Sequence, residues 1–173
     1  NDGVRVSPTV IAGITDSSGK YTAAAGRTSE RVVSAQTAQQ LRIMMESVVS
    51  GQGTAPSAAI PGYRVAGKTG TAMRYNSACS CYSGYTASFI GFAPADAPKY
   101  VISVTIQDPK GAHYGGSLAG PVFKKVMTFV LQSEHVAPTG TQVMPVALTQ
   151  SELLKKQRQS TVIQAKQASA KKP

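Results

Sequence analysis

The amino-acid sequence predicts an α+β fold in which helices pack on an antiparallel sheet. Three observations support this prediction: two segments carry helical apolar stripes, three strand-like runs lie between them, and two of these runs are joined by a short proline-containing turn at residues 94–98. Strands joined by a short turn pair antiparallel, and a helix with one apolar face buries it against such a sheet. With 173 residues, 42% of them apolar, the chain is long enough for one domain with its own core.

The first 48 residues predict short strands followed by one helix. Four aliphatic residues between positions 4 and 14 fall on even positions, which is the period of a strand, and the sequence Asp-Ser-Ser-Gly at 16–19 indicates a hairpin turn. Ser34 is the expected N-cap of the helix, in which apolar residues from Ala38 to Val48 recur at spacings of three and four. A Gly-Gln-Gly sequence then ends the helix.

The middle of the chain predicts three strands. Residues 63–72 form the first, and its two glycines indicate a place where a ligand or another backbone approaches closely. A polar loop at 73–84, which contains both cysteines, is expected to follow. Residues 85–93 and 100–107 are the other two strands. In the last strand Ile102, Val104 and Ile106 fall on even positions, and we expect this even face to be buried.

Residues 117–133 predict the last helix. Ser117 is its expected N-cap, and Pro121 falls in the first turn, where the missing N–H of proline costs little. Its buried stripe is expected at intervals of four residues, widened by two phenylalanines and a methionine. The stripe consists of Leu118, Val122, Val126 and Val130.

The net charge of +10 is divided equally between the body of the chain and its end, because residues 151–173 alone contribute +5. A basic segment with few large apolar residues stays solvated, so we assign residues 1–135 to the folded domain and 136–173 to a flexible C-terminal extension. The folded part has no helix-turn-helix, zinc-finger or single-strand-binding pattern, so we expect no nucleic-acid partner. Its apolar runs are too short to span a membrane.

The strongest candidate site is the sequence Lys68-Thr69-Gly70-Thr71 on the first of the three strands. A cation, two hydroxyls on one face and a backbone left open by glycine suit the recognition of a carboxylate. The backbone N–H groups of such a strand edge can also stabilise an oxyanion. The tripeptide Lys-Thr-Gly also recurs by chance, however, and an ordinary strand with an exposed lysine would explain it without any function.

Two cysteines and several aromatic residues lie near this strand in the sequence. Cys79 and Cys81 are compatible with a disulfide, with two free thiols or, together with His113 and a further ligand, with a metal site. Five aromatic residues are candidates for the rim of a cleft or a lid over it, and ordinary loop residues would fit the same pattern. They are His113, Tyr114, Tyr75, Tyr82 and Tyr85.

Six sequence blocks, all in one order, resemble the C-terminal part of the transpeptidase domain of class B penicillin-binding proteins, in particular the septal, cell-division type. The resemblance covers about residues 1–133 and includes the Lys-Thr-Gly motif in its usual surroundings. The blocks are NDGVRVSP at 1–8, ERVVS at 30–34, VVSGQGTA at 48–55, VAGKTGTA at 65–72, FIGFAP at 89–94 and GSLAGPVF at 116–123.

This resemblance implies a penicillin-binding or serine β-lactamase-like fold and a D,D-transpeptidase that cross-links peptidoglycan stem peptides through a serine acyl-enzyme. Lys68 would support the electrostatics and proton transfers of the site. Thr69 and Thr71 would bind the terminal carboxylate of D-Ala-D-Ala or of a β-lactam across Gly70, and the backbone N–H of Thr71 would contribute to the oxyanion hole. No metal or organic cofactor is implied.

The resemblance also implies a location at the extracytoplasmic face of the cell membrane. There the protein would be anchored by a segment upstream of this chain. Membrane proteins of the division complex are the expected partners, together with stem peptides and β-lactams. These expectations concern the protein to which the chain would belong.

Two motifs of the family, the nucleophilic Ser-x-x-Lys and the middle Ser-x-Asn, lack a convincing counterpart in this chain. Ser17-Ser18-Gly19-Lys20 matches the first literally but lies in a glycine turn, whereas the nucleophile must open a helix so that its lysine can accept the hydroxyl proton. A second literal match, at Ser169, lies in the tail. We therefore expect a fragment whose nucleophile lies upstream or on another chain. A non-catalytic wall-binding or scaffolding relative and a serine β-lactamase are the alternatives.

Overall fold

The computed structural model describes residues 1–24, 26 and 28–140 of the chain. Within these ranges the strands and helices follow one another in the predicted order, and helices against antiparallel strands make this an α+β fold, as predicted. The strands are β1 Val4–Val6, β2 Gly13–Thr15, β3 Tyr21–Ala23, β4 Ser29–Arg31, β5 Ala66–Asn76, β6 Cys81–Ala93 and β7 Tyr100–Gln107, and the helices are α1 Ala35–Ser47 and α2 Gly115–Ser133.

The central sheet consists of three antiparallel strands in the order β5-β6-β7, and α2 covers one of its faces. At the centre of this contact the fully buried rings of Phe89 and Phe123 pack edge to face, with centroids 4.9 Å apart. The even-numbered residues of β7 pack against this core and the other half of the strand is exposed, which confirms the predicted alternation. The core therefore lies between one sheet face and one helix.

The N-terminal strands form two small ladders, in which β1 pairs with β4 and β2 pairs with β3. The turn between β2 and β3 confirms the predicted hairpin. The carboxylate of Asp16 organises it by accepting hydrogen bonds from the backbone N–H groups of Ser18 and Lys20, at 2.9 and 3.0 Å. The hydroxyl of Ser18 also donates to this carboxylate and is the main reason that the pKa of Asp16 is lowered.

Helix α1 begins as predicted, because Ser34 Oγ accepts a hydrogen bond from the backbone N–H of Thr37 at 3.0 Å. The predicted apolar stripe is buried only towards the C-terminal end of the helix. Leu41 is 49% exposed, whereas Val49, just beyond the helix, belongs to the core. The helix therefore contacts the rest of the fold mainly through its last turn.

That last turn carries a buried ion pair that the apolar pattern does not predict. Glu46 is fully buried, and its two carboxylate oxygens accept hydrogen bonds from Arg64 at 2.9 and 2.6 Å. The hydrogen bond to Glu46 raises the pKa of the Arg64 guanidinium. Because Arg64 lies two residues before β5, this pair connects α1 to the start of that strand.

Helix α2 begins at Gly115, two residues before the predicted start, and Tyr114 is its N-cap without a side-chain hydrogen bond. The prediction that Ser117 caps the helix is therefore wrong. Pro121 is the seventh helical residue and lies inside the helix rather than in its first turn. The end of the helix at Ser133 is as predicted.

The buried stripe of α2 also differs from the prediction. It consists of Ala119, Phe123, Met127 and Leu131. Phe123 and Met127, which we expected only to widen the stripe, are thus part of it, whereas Phe129 is 69% exposed. Val122 and Val126, which belong to the predicted stripe, are 42% and 43% exposed. Both stripes have a spacing of four residues and differ by one position, a rotation of about 100°. Buried glycines at 115, 116 and 120 allow α2 to pack closely on the observed side, and this close contact determines how the helix is rotated about its own axis.

The predicted polar loop at 73–84 is wrong, because β5 continues to Asn76 and β6 already begins at Cys81. These residues form a hairpin arm (residues 73–84) with a turn at 77–80. Met73 pairs with Tyr85 and Tyr75 pairs with Tyr82, so two residues of β6, Ser83 and Gly84, oppose the single residue Arg74 of β5 in a bulge. The exposed residues on both faces of the arm gave no alternating apolar pattern from which to predict strands.

After α2 the described chain returns to the body of the fold. Val136 is buried, and its carbonyl oxygen accepts a hydrogen bond from the hydroxyl of Tyr63 at 2.6 Å. The backbone N–H of Gly140 donates to the carbonyl oxygen of Gly62 at 3.0 Å. The domain boundary at residue 135 stays a prediction, and most of the predicted extension, 141–173, lies outside the described residues. In the described part, no helix combines the length and the hydropathy needed to cross a membrane.

Candidate functional site

The predicted site residues lie next to one another on β5, which is an edge strand of the described sheet. The strand pairs with β6 on one side only, so alternate N–H and C=O groups face away from the sheet. The four residues keep a regular register across the ladder. Lys68 pairs with Ile90, Thr69 with Phe89, Gly70 with Ser88 and Thr71 with Ala87.

The lysine and the two threonines project from opposite faces of the sheet. Successive side chains of a strand alternate, so Thr69 and Thr71 share the face that α2 covers, as predicted for the pair. Lys68 is exposed on the other face, and its Nζ donates a hydrogen bond to the carbonyl oxygen of Thr69 at 2.9 Å. A single anion can therefore contact the ammonium and the hydroxyls together only at the open edge of the strand.

Each threonine hydroxyl is positioned by a different part of the chain. Thr69 Oγ1 lies 3.2 Å from Thr54 Oγ1, in the loop after α1. Thr71 Oγ1 accepts a hydrogen bond from the backbone N–H of Gly115 at 3.3 Å. Because a hydroxyl that accepts a hydrogen bond keeps its own proton to donate, Thr71 can still donate to an anion. The start of α2 also adds the positive end of a helix dipole at this point.

Glycines bring these segments into close contact. A Cβ at Gly70 would lie 2.5 Å from Ser88 Oγ on the neighbouring strand. A Cβ at Gly115 would overlap the carbonyl oxygens of Ser88 and Gly70, and one at Gly116 would overlap that of Thr54. The helix, the loop and the strand therefore meet without space for a side chain between them.

Sequence reasoning missed three of the residues that build this site: Thr54, Ser88 and Gly115. Thr54 lies within one of the six blocks, and Gly115 immediately precedes another, so these blocks were a usable signal. Ser88 likewise immediately precedes the block at 89–94, although as one small polar residue within a strand it does not stand out by itself.

The two cysteines form a disulfide in the turn of the hairpin arm, so the structure selects one of the three states that the sequence leaves open. The part of the chain that the structure describes contains no group of three or more His, Cys, Asp or Glu side chains placed to hold a metal ion. Ser17, from the literal Ser-x-x-Lys match, lies in the turn between β2 and β3, and Ser169 lies outside the described residues.

The candidate aromatic residues form contacts next to the site. His113 stacks on Tyr85, with ring centroids 4.2 Å apart and planes 14° from parallel, and is also near Tyr114 at 4.5 Å. Tyr75 and Tyr82 form an edge-to-face pair at 5.8 Å on the hairpin arm. Their assignment to a cleft rim or a lid stays a prediction.

A second charged group stabilises the base of the hairpin arm. Asp108, directly after β7, accepts a hydrogen bond from Lys110 Nζ at 2.7 Å and lies 3.9 Å from Arg74. The hydrogen bond from Lys110 is the main reason that the pKa of Asp108 is lowered. Gly84, at the bulge, has a φ of +76°, and a Cβ there would lie 2.5 Å from Asp108 Oδ1.

An edge strand with a Lys-Thr-Gly sequence, backed by a helix that packs on the sheet, is the arrangement of the penicillin-binding and serine β-lactamase class. Within that class the chain belongs to one family: residues 1–128 match the family described as the penicillin binding protein transpeptidase domain. The predicted family resemblance is thereby confirmed.

Individual relatives agree with this family. The chain is 43% identical over 146 residues to penicillin-binding protein PbpB of Mycolicibacterium smegmatis, covering 79% of this chain and 22% of that protein. It is 41% identical over 111 residues to a probable peptidoglycan D,D-transpeptidase PenA of Neisseria flavescens, covering 64% of this chain and 28% of that protein. Both curated relatives are therefore several times longer than the segment that this chain matches.

A solved structure shows the same fold. The structure of penicillin binding protein 3 from Mycobacterium tuberculosis, complexed with ampicillin, superposes with a TM-score of 0.75 at 39% identity. The match covers 86% of this chain and 35% of that one.

Proposed function

We propose that this chain supplies the carboxylate-binding edge of a peptidoglycan D,D-transpeptidase, an enzyme that cross-links stem peptides and is acylated by β-lactams. One observation carries the proposal: Thr69 and Thr71 lie on an open strand edge where Thr54 and Gly115 position their hydroxyls. The relatives, which include a probable peptidoglycan D,D-transpeptidase and a penicillin binding protein complexed with ampicillin, support the choice of substrate.

The geometry of β5 suits a D-Ala-D-Ala end lying along the edge. Lys68 supplies positive charge and the two threonine hydroxyls donate hydrogen bonds to the terminal carboxylate. The backbone N–H of Thr71 stabilises the negative oxygen that forms when a serine attacks the amide carbonyl. The terminal D-Ala then leaves with a proton, and the amine of a second stem peptide attacks the resulting ester and releases the serine.

The serine of this reaction is proposed to lie in a segment upstream of this chain or on a companion chain, within the Ser-x-x-Lys motif. The middle Ser-x-Asn motif would lie there too. The turn that holds Ser17 is a hairpin between two strands, which does not provide the helix N-terminus that the nucleophile needs. The cell-membrane anchor, the extracytoplasmic location and contacts with membrane proteins of the division complex belong to the same proposal for the longer protein.

Intact-mass measurement after addition of a penicillin tests this function. We expect a covalent adduct on the longer protein, mapped to a serine outside this chain. In that protein Lys68→Ala should slow acylation by about a hundredfold, as the loss of one electrostatic contact in such a site typically does. Lys125→Ala, which removes an exposed lysine of α2, should leave the rate unchanged.

Three other outcomes would contradict the proposal in different ways. The absence of any adduct on the longer protein would favour a non-catalytic wall-binding or scaffolding relative. An adduct that is hydrolysed rapidly, with many turnovers of penicillin, would favour a serine β-lactamase. An adduct on Ser17 of this chain would show that the nucleophile is present here after all.

A further inference from the structure

A group of aromatic side chains lies beside the site and has no part in the proposed chemistry. We call it the aromatic surface; its members are Tyr75, Tyr82, Tyr85, His113 and Tyr114. Three of them are largely exposed, at 61% for Tyr75, 65% for Tyr82 and 64% for Tyr114. Adjoining exposed rings are typical of a binding surface rather than of a folding requirement.

The aromatic surface continues the face of the sheet on which the threonine hydroxyls lie. Tyr75 is four residues beyond Thr71 on β5, which preserves the face and corresponds to about 13 Å along the strand. Tyr82 pairs with Tyr75, so both rings project to this side. Tyr114 immediately precedes Gly115, whose backbone N–H binds Thr71. The aromatic surface therefore adjoins the candidate site in two places, along β5 at Tyr75 and at the start of α2 next to Tyr114.

We propose that the aromatic surface binds sugar rings of the glycan strand to which the stem peptide is attached. This inference rests on the proposed function, because it takes the carboxylate end of the stem peptide to lie at Lys68–Thr71. An extended peptide advances about 3.3 to 3.6 Å per residue, so four residues cover the distance from Thr71 to Tyr75. A stem peptide that follows β5 would therefore bring its sugar-linked end to these rings.

The chemistry of the surface fits a sugar better than an ionic partner. A pyranose ring has an apolar C–H face, which packs on an aromatic ring, and hydroxyl groups, which bond to a tyrosine hydroxyl. The planes of Tyr75 and Tyr82 are 72° apart, so the two rings form a corner that contacts one sugar from two sides. Residues 73–84 contain no Asp or Glu and one cation, Arg74, which lies 3.9 Å from Asp108.

The rings are held in place before any ligand binds. Tyr75 and Tyr82 lie on paired strands, and the disulfide between Cys79 and Cys81 constrains the end of the turn immediately before Tyr82. Tyr85 stacks on His113 and so links β6 to the loop before α2. Because little side-chain freedom is lost on binding, a weakly interacting ligand such as a neutral sugar can be retained.

Titration of the full chain with a peptide-free tetramer of β-1,4-linked N-acetylglucosamine, followed by NMR, tests the inference. We expect Tyr75→Ala and Tyr82→Ala each to weaken binding about three- to tenfold, the effect of losing one aromatic contact. Tyr75→Phe keeps the ring and should retain most of the affinity. Tyr21→Ala removes an exposed tyrosine of β3 and is the matched control, with no change expected.

Either of two results would overturn the inference: no binding of the tetramer at millimolar concentration, or equal binding by the wild type and both alanine variants. Neither depends on acylation, because the probe carries no stem peptide. Penicillin acylation of the longer protein, measured separately, decides the proposed function. Normal acylation without tetramer binding would refute only the inference, and tetramer binding without acylation would refute only the proposed function.

Discussion

The first half of β5 is enclosed by β6 and the start of α2 except at its open edge and at the exposed Lys68, whereas its second half is exposed. Around residues 66–71 the strand contacts β6 laterally and the start of α2 on one face, and Ala66 and Gly67 are buried. Beyond residue 73 it pairs only with the start of β6, and Tyr75 is exposed. The enclosed half contacts β6 and α2 without space for added side chains, while the exposed half presents side chains to solvent. Substitutions of the packed residues should therefore affect mainly stability, whereas substitutions of exposed side chains, such as Lys68 in the first half and Tyr75 in the second, should affect mainly binding.

The largest effect should come from the ion pair that connects α1 to the enclosed half. Glu46→Ala leaves the guanidinium of Arg64 in a mostly buried place without its carboxylate, and breaking such a pair costs about 3 to 5 kcal/mol. Chemical denaturation measures this change in the free energy of unfolding. Glu30→Ala, which removes an exposed pair with Arg5, should cost less than about 1 kcal/mol. An equal loss of unfolding free energy in the two variants would contradict the larger contribution that we assign to the Glu46–Arg64 pair.

A smaller but still large loss is expected where α2 meets β5. Gly115→Ala places a methyl group against the carbonyl oxygens of Ser88 and Gly70, and overpacking of this kind costs about 1 to 3 kcal/mol. In the longer protein it should also slow acylation, because it displaces the N–H that binds Thr71. Gly51→Ala is the control, since a Cβ there has no neighbour within 4 Å. If Gly115→Ala leaves the free energy of unfolding unchanged, the contact between the start of α2 and β5 is loose.

The smallest effect concerns the base of the hairpin arm and depends on pH. The lowered pKa of Asp108 means that its carboxylate stabilises the folded state above the ordinary value of 3.8 and that this contribution is lost as the pH falls through the folded-state value. Asp108→Asn should therefore be slightly less stable than the wild type at neutral pH and equally stable at a pH well below 3.8. Stability curves from pH 2 to 7 measure this. In a Lys110→Ala background, most of the pH-dependent stability difference caused by Asp108→Asn should disappear. If Asp108→Asn is still less stable than the wild type well below pH 3.8, the ionised carboxylate is not the cause.

The sequence was sufficient to select the candidate strand because charge, hydroxyl groups and glycine coincide in Lys68-Thr69-Gly70. It was insufficient for the partners of the site, since Thr54 is 15 positions from Thr69 and the contact exists only after folding. The rotation of α2 was mispredicted because two apolar stripes differ by one position, and only the packing of Gly115 and Gly116 distinguishes them. The arm was mispredicted as a loop because a strand pair exposed on both faces has no apolar alternation.

The open edge of β5 has a further consequence for the protein in solution. A strand edge that can receive an extended peptide can also receive the same edge of a second molecule, and such pairing leads to aggregation. In an antiparallel arrangement around this segment, two copies of Lys68 would come close together and their ammonium groups would repel each other. We therefore expect the charge that we propose to attract a carboxylate also to keep the edge unoccupied by other copies of the chain.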